Sequence, residues 1–109
     1  MIDVLNLTIG YKDKKIIDNA SFKVLDSKCL VLFGPSGCGK TSILNAIANL
    51  IPFEGSIILS GKLSYSFQSP KLFTNSTVFE NLSFVTKDFK KIDYYLNLFK
   101  IGNLKKEKV

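Results

Sequence analysis

The chain has 109 residues, 46% of them apolar, and a formal net charge of +6. That length supports one small core, and the composition is globular, not disordered. No apolar run approaches the roughly 18 residues of a membrane-crossing helix, and the start M-I-D-V-L-N-L-T lacks the basic region and long apolar core of a secretory signal, so a cytoplasmic protein is expected.

Cys29 and Cys38 are too few for a disulfide framework and read as two reduced thiols. With no histidine and no C-x-x-C pair, a zinc site has no ligand set. All 15 basic side chains are lysines, clustered at Lys12, Lys14, Lys15, at Lys87, Lys90, Lys91 and at Lys100, Lys105, Lys106, Lys108. Nucleic-acid readers lean on arginine for bidentate contacts. Solvated lysine-rich faces are therefore the favoured reading, with no nucleic-acid partner, and the chain cannot supply an arginine finger of its own.

Leu5, Leu7 and Ile9 alternate with polar residues or glycine, which predicts a half-buried strand with these three on one face. Residues 10–14 (G-Y-K-D-K) predict a turn. Residues 16–24 predict a second strand, in which Ala20, Phe22 and Val24 alternate with Ser21 and Lys23. The two read as an antiparallel pair. Residues 29–33, C-L-V-L-F, are apolar throughout, as in a parallel strand buried on both faces.

The loop that follows is G-P-S-G-C-G-K-T-S: Gly34, Pro35, Ser36, Gly37, Cys38, Gly39, Lys40, Thr41 and Ser42. Gly34, Gly39, Lys40 and Thr41 satisfy the phosphate-loop pattern G-x-x-x-x-G-K-[ST]. Glycines let backbone N–H groups turn inward as a nest. The next helix points its positive dipole end at the same spot. Lys40 adds a charge for the β/γ-phosphates, and Thr41 a hydroxyl for Mg2+. The helix carries Ile43, Leu44, Ile47, Ala48 and Ile51 at helical spacing and is expected to stop at Pro52.

Residues 55–60 predict a short strand, and Leu63, Tyr65 and Phe67 predict another that ends at Gln68. Gln68 at the carboxyl end of a parallel strand lies where open α/β sheets bind ligands, and its amide oxygen suits Mg2+ or its water; an ordinary polar strand end is the alternative. Thr77 opens a short amphipathic helix that Thr86 to Asp88 break. A further helix from Asp88 or Phe89 to about Lys100 has Ile92, Tyr95, Leu96 and Phe99 on one face, with Gly102-Asn103 as its stop. The final L-K-K-E-K-V predicts no element.

Taken in order, these segments resemble the nucleotide-binding subunit of ABC transporters over nearly the whole chain. The resemblance rests on Tyr11 in the first turn, D-N-A-S-F-K-V, the phosphate loop with its helix, and Y-S-F-Q-S-P-K-L-F followed by T-V-F-E-N-L. The spelling is nearest to importers of the nitrate, sulfonate and taurine type. It implies an α/β fold: a P-loop NTPase core with an N-terminal antiparallel β portion over 1–76 and the start of a helical subdomain over 77–109. It also implies that Tyr11 stacks on adenine (a plain turn aromatic is the rival), that ATP and Mg2+ are the ligands, and that Thr41 and Gln68 face the metal. Ser69, Pro70, Lys71, Leu72 and Phe73 would meet a membrane subunit, although Leu72 and Phe73 could equally be core. A second nucleotide-binding subunit would complete the assembly, peripheral to the inner face of the cell membrane.

The family's L-S-G-G-Q signature, a Walker B strand leading into Asp-Glu, and the histidine switch do not occur in these 109 residues. The family implies an ATPase driving solute transport. This chain alone carries no catalytic residue for hydrolysis and is expected to bind ATP without turning it over. A non-enzymatic, truncated nucleotide-binding remnant is the alternative. A small P-loop nucleotide kinase is a weaker one, since two strands precede the loop and no arginine is present. An unpaired edge on residues 29–33 predicts self-association.

Overall fold

The structure, a computed structural model, describes residues 1–109. Its elements are β1 (Ile2–Tyr11), β2 (Lys14–Val24), α1 (Lys40–Ile47), β3 (Glu54–Leu59), α2 (Val78–Val85), α3 (Phe89–Leu98) and a 3-10 turn at Gly102–Leu104. The chain is α/β with an N-terminal antiparallel portion, as the sequence predicts. It forms two compact units, Met1–Tyr65 and Ser66–Val109.

In the first unit the three strands make one antiparallel sheet in the order β2-β1-β3. Tyr11 still pairs with Lys14, so the hairpin loop is only Lys12 and Asp13. The buried face of β1 is Val4, Leu7 and Ile9, whereas Leu5 is exposed. Asn6 accounts for this departure from simple alternation. It sits at φ 53, the register shifts between Val4 and Leu7, and one extra residue reverses the parity of the strand. Asn19 of β2 is a second irregularity, at φ 54. The Asn6 N–H donates to Ser21 Oγ at 2.9 Å and the Asn19 N–H to Thr8 Oγ1 at 3.0 Å. Side-chain oxygens thus take up donors that the irregular ladder leaves free.

α1 lies on this face through Ala46 and Ile47, with Ile43 packed beside them. Leu44 is exposed. The helix ends at Ile47, a turn before the expected stop at Pro52. Asn49 takes φ 56; its N–H donates to Ala46 O at 2.9 Å, and the Leu50 N–H donates to Asn45 O at 2.8 Å. That pair of bonds is a Schellman closure, with asparagine in the left-handed position usually given to glycine.

Two predicted strands are absent. Residues 29–33 and 63–67 form no ladder, and Leu30, Val31, Phe33, Leu63 and Phe67 are exposed. A strand exists only by pairing, and the sheet ends at β2 on one side and β3 on the other, with neither segment beside it. Gln68 therefore sits at an exposed bend, not at a strand end.

In the second unit Thr77 caps α2. Its hydroxyl accepts from the Glu80 N–H at 3.1 Å, and the Glu80 carboxylate accepts from the Thr77 N–H at 3.0 Å. This T-x-x-E capping box starts the helix where the sequence predicts it. Asp88 caps α3 by accepting from the Lys91 N–H. Ile92 and Leu96, one turn apart, are its buried pair. α3 stops at Leu98 with Lys100 at φ 59, closed by Lys100 N–H to Asn97 O and Ile101 N–H to Leu96 O. The expected stop at Gly102-Asn103 instead begins the 3-10 turn. The last residues, predicted to lack structure, bond back onto the start of α2: the Val78 N–H reaches Glu107 O and the Phe79 N–H reaches Lys105 O, each at 2.9 Å.

Candidate functional site

The loop into α1 brings the predicted phosphate-binding residues together. Gly37 (φ 79) and Gly39 (φ 102) hold conformations that favour glycine. A Cβ on Gly39 would lie 2.8 Å from Ile16 Cγ2 and 2.8 Å from Ile17 Cδ1, so the loop is seated against β2 where only hydrogen fits. A Cβ on Gly34 would meet Cys38 Sγ at 2.9 Å, whereas one on Gly37 would meet open space.

The first intrahelical bond runs from the Ile43 N–H to Gly39 O at 3.0 Å. The N–H groups of Lys40, Thr41 and Ser42 precede it and have no intrahelical acceptor. No side chain caps this end and no acidic residue occupies the first turn, so the positive end of the dipole is uncompensated. Lys40 Nζ donates to Gly34 O at 2.6 Å and Pro35 O at 2.7 Å and lies 3.6 Å from Cys38 Sγ. The ammonium is thus folded onto the loop's own carbonyls. Thr41, Pro35, Ser36, Gly37 and Cys38 are exposed; Gly34, Gly39, Lys40 and Ser42 are half-buried. Free first-turn N–H groups, a helix dipole and one ammonium lie together here, the donor types that suit an anion, with the exposed Thr41 beside them.

Tyr11 closes β1 with 69% of its surface exposed and Lys12 Nζ 5.9 Å from its ring centroid. Gln68 belongs to the second unit and is exposed. So are Ser69, Pro70, Lys71, Leu72 and Phe73, which removes the core reading of Leu72 and Phe73. The Phe73 ring lies edge-on to Phe84, with centroids 5.1 Å apart.

Two interactions escape sequence reasoning. The Tyr65 hydroxyl donates to Asn45 Oδ1 of α1 at 2.6 Å. Asn81 clamps the Phe73 backbone, accepting from its N–H at 2.8 Å and donating to its O at 3.1 Å. They join residues 20 and 8 apart in sequence, and no local pattern announces them. The second unit also has an apolar cleft of about 570 Å³, whose walls include Leu72, Val78, Leu82, Leu96, Phe99 and Leu104. Such walls offer phosphate little. No helix is long and apolar enough to cross a membrane.

Comparison with known proteins agrees with the loop. The family model described as ABC transporter matches residues 17–109. An uncharacterized ABC transporter ATP-binding protein of Methanocaldococcus jannaschii is 35% identical, over 99% of this chain and 45% of that protein. The spermidine/putrescine import ATP-binding protein PotA of Pasteurella multocida is 36% identical, over 77% of this chain and 26% of its own length. The intermembrane phospholipid transport system ATP-binding protein MlaF of Haemophilus influenzae is 32% identical, over 81% and 40%. The chain thus spans less than half the length of these curated relatives. With the family model covering most of its length and the phosphate loop inside the matched region, the chain belongs to the ABC transporter ATP-binding family.

Proposed function

We propose that this chain is the ATP-binding portion of an ABC transporter ATPase, which couples ATP binding and hydrolysis to movement of a solute across a membrane. The observation that carries the reading is the phosphate loop, with its glycine cradle, bare helix end and Lys40. The donor set fits a nucleotide triphosphate. Loop and first-turn N–H groups would hold the phosphates, Lys40 would exchange its carbonyl partners for the β/γ oxygens, and Thr41 and Gln68 would offer oxygens to Mg2+. Tyr11 would stack on adenine. Bound Mg2+ neutralises phosphate charge and so supplies part of the binding energy.

The exposed residues Ser69, Pro70, Lys71, Leu72 and Phe73 would dock a membrane subunit, with a second nucleotide-binding subunit completing the site at the inner face of the membrane. The relatives' printed names cover polyamines and phospholipids. They support the shared ATP site; an importer of the nitrate, sulfonate or taurine type rests on the spelling of the loop and glutamine segments alone.

No catalytic base or signature motif occurs in these residues, so the chain alone binds ATP without turning it over. Saturating Mg-ATP should raise the melting temperature and give no steady phosphate release. Turnover abolished by Lys40→Ala would contradict the second half, and an unmoved melting temperature the first.

A further inference from the structure

The corner between α2 and α3 is tight. α2 ends at Val85, α3 begins at Phe89, and only Thr86, Lys87 and Asp88 join them. Phe84 is 74% and Val85 84% exposed. The Phe84 ring is nonetheless held, edge-on to Phe73 with centroids 5.1 Å apart. Lys87, Lys90 and Lys91 stand beside this apolar pair and are exposed. Lys87 Nζ donates to Ser83 O at 2.9 Å, which keeps its charge at the end of α2. Along α3, helical spacing puts Lys90, Lys91 and the exposed Tyr94 on the face away from the buried Ile92 and Leu96.

The positive charge of this corner is not cancelled. The Asp88 carboxylate accepts from the Lys91 N–H at 3.1 Å as the cap of α3, and Asp93 pairs with Lys105 at 2.7 Å. Lys87, Lys90 and Lys91 enter none of the chain's ion pairs. Residues 66–109 hold eight lysines against four carboxylates, so no excess of acid surrounds them. Lysines alone would make a solvated face. Here phenylalanine and valine stand in water within the same turn, and burial of their surface is favourable.

Lysine is a point charge without the planar fork that fixes a partner's register. Apolar tips beside such charges suit a partner that is anionic and deformable. At a bilayer surface, apolar side chains enter the acyl boundary while lysines meet the headgroup charges, and tyrosine prefers the same boundary. We propose that the α2–α3 corner docks on an anionic lipid bilayer, with Phe84 and Val85 entering the interface and Lys87, Lys90 and Lys91 meeting the headgroups. This surface lies outside the phosphate loop and does not depend on the ATP reading.

The test is flotation of the full chain with lipid vesicles, which separates bound protein from self-associated protein. Vesicles of phosphatidylcholine with roughly one part in three phosphatidylglycerol should bind it at least tenfold more tightly than phosphatidylcholine alone. Replacing Lys87, Lys90 and Lys91 together by Gln should weaken binding on the order of a hundredfold, about fivefold for each charge. The same change at Lys14, Lys15 and Lys28 of the first unit removes equal charge and should weaken it less than about fivefold. Val85→Ser, at a side chain with little contact to lose, should weaken binding about fivefold with charge unchanged. Circular-dichroism melts matching wild type show that these variants fold. No binding to the anionic vesicles overturns the proposal, as do equal binding to neutral ones and equal losses from the two lysine triplets. Loss in the Lys87, Lys90 and Lys91 variant with none in Val85→Ser would assign the face to an acidic protein partner and overturn the lipid reading.

Discussion

Gly39 decides whether the phosphate loop can form, because its space and its backbone angle both exclude a side chain. Gly39→Ala drives a methyl into Ile16 and Ile17 at a φ of 102. It should cost about 3 kcal/mol of stability and abolish nucleotide binding. Gly37→Ala meets open space at φ 79 and should cost only about 1 kcal/mol. Urea midpoints of the two variants check this; equal losses would show that the Ile16 and Ile17 contacts do not matter. Asp26 offers a separate test by pH. The Met1 ammonium, 2.6 Å away, holds its carboxyl below the usual range, first by hydrogen bonding and then by Coulombic attraction. Because the folded value is lowered, the pair contributes above the ordinary aspartate range, and the contribution is lost as pH falls through the folded value. Asp26→Asn should therefore lower stability at neutral pH, flatten the acid side of the stability–pH curve, and converge with wild type below the folded value.

At the level of elements, what was legible is what is local. The capping box Thr77–Glu80 and the Asp88 cap lie within one turn of the helices that they start, so α2 and α3 begin where their sequences say. Their ends were harder to read. α3 stops because Lys100 takes the left-handed position, and no residue type signals that. Lys100→Gly removes the strain of a Cβ there and should stabilise α3 by about 1 kcal/mol, read as a shift in the helical circular-dichroism melt; a destabilised variant would show that the Lys100 side chain matters more than its backbone. Periodicity also misjudged β1, since Asn6 moves burial from Leu5 to Val4. Residues 29–33 and 63–67 show the larger limit. An apolar run states which surroundings the residues need, and it cannot supply the neighbouring strand. The phosphate loop was legible because spacing and residue type suffice to build it, whereas the Tyr65–Asn45 and Phe73–Asn81 bonds depend on the folded chain.

At the scale of the molecule, the core is small for the apolar content. Only Val4, Leu7, Ile9, Ala46, Ile47, Ile92 and Leu96 are buried, while Val31 is 76% and Phe33 97% exposed. Large exposed apolar side chains beside unpaired backbone favour association. Sedimentation should show mass rising with concentration, and Val31→Lys with Phe33→Lys should lower it; a concentration-independent monomer would contradict this. An assembly covering residues 29–33 would gain roughly 2 kcal/mol for each large side chain buried.

The loop from Gly34 to Ser42 is proposed to bind the phosphates of ATP, with Lys40 as its charge. Calorimetric titration of Mg-ATP into wild type and Lys40→Ala tests it most directly. Saturable binding to wild type, weakened at least tenfold in Lys40→Ala, is the predicted result. Equal binding by the two proteins, or binding by neither, would contradict it.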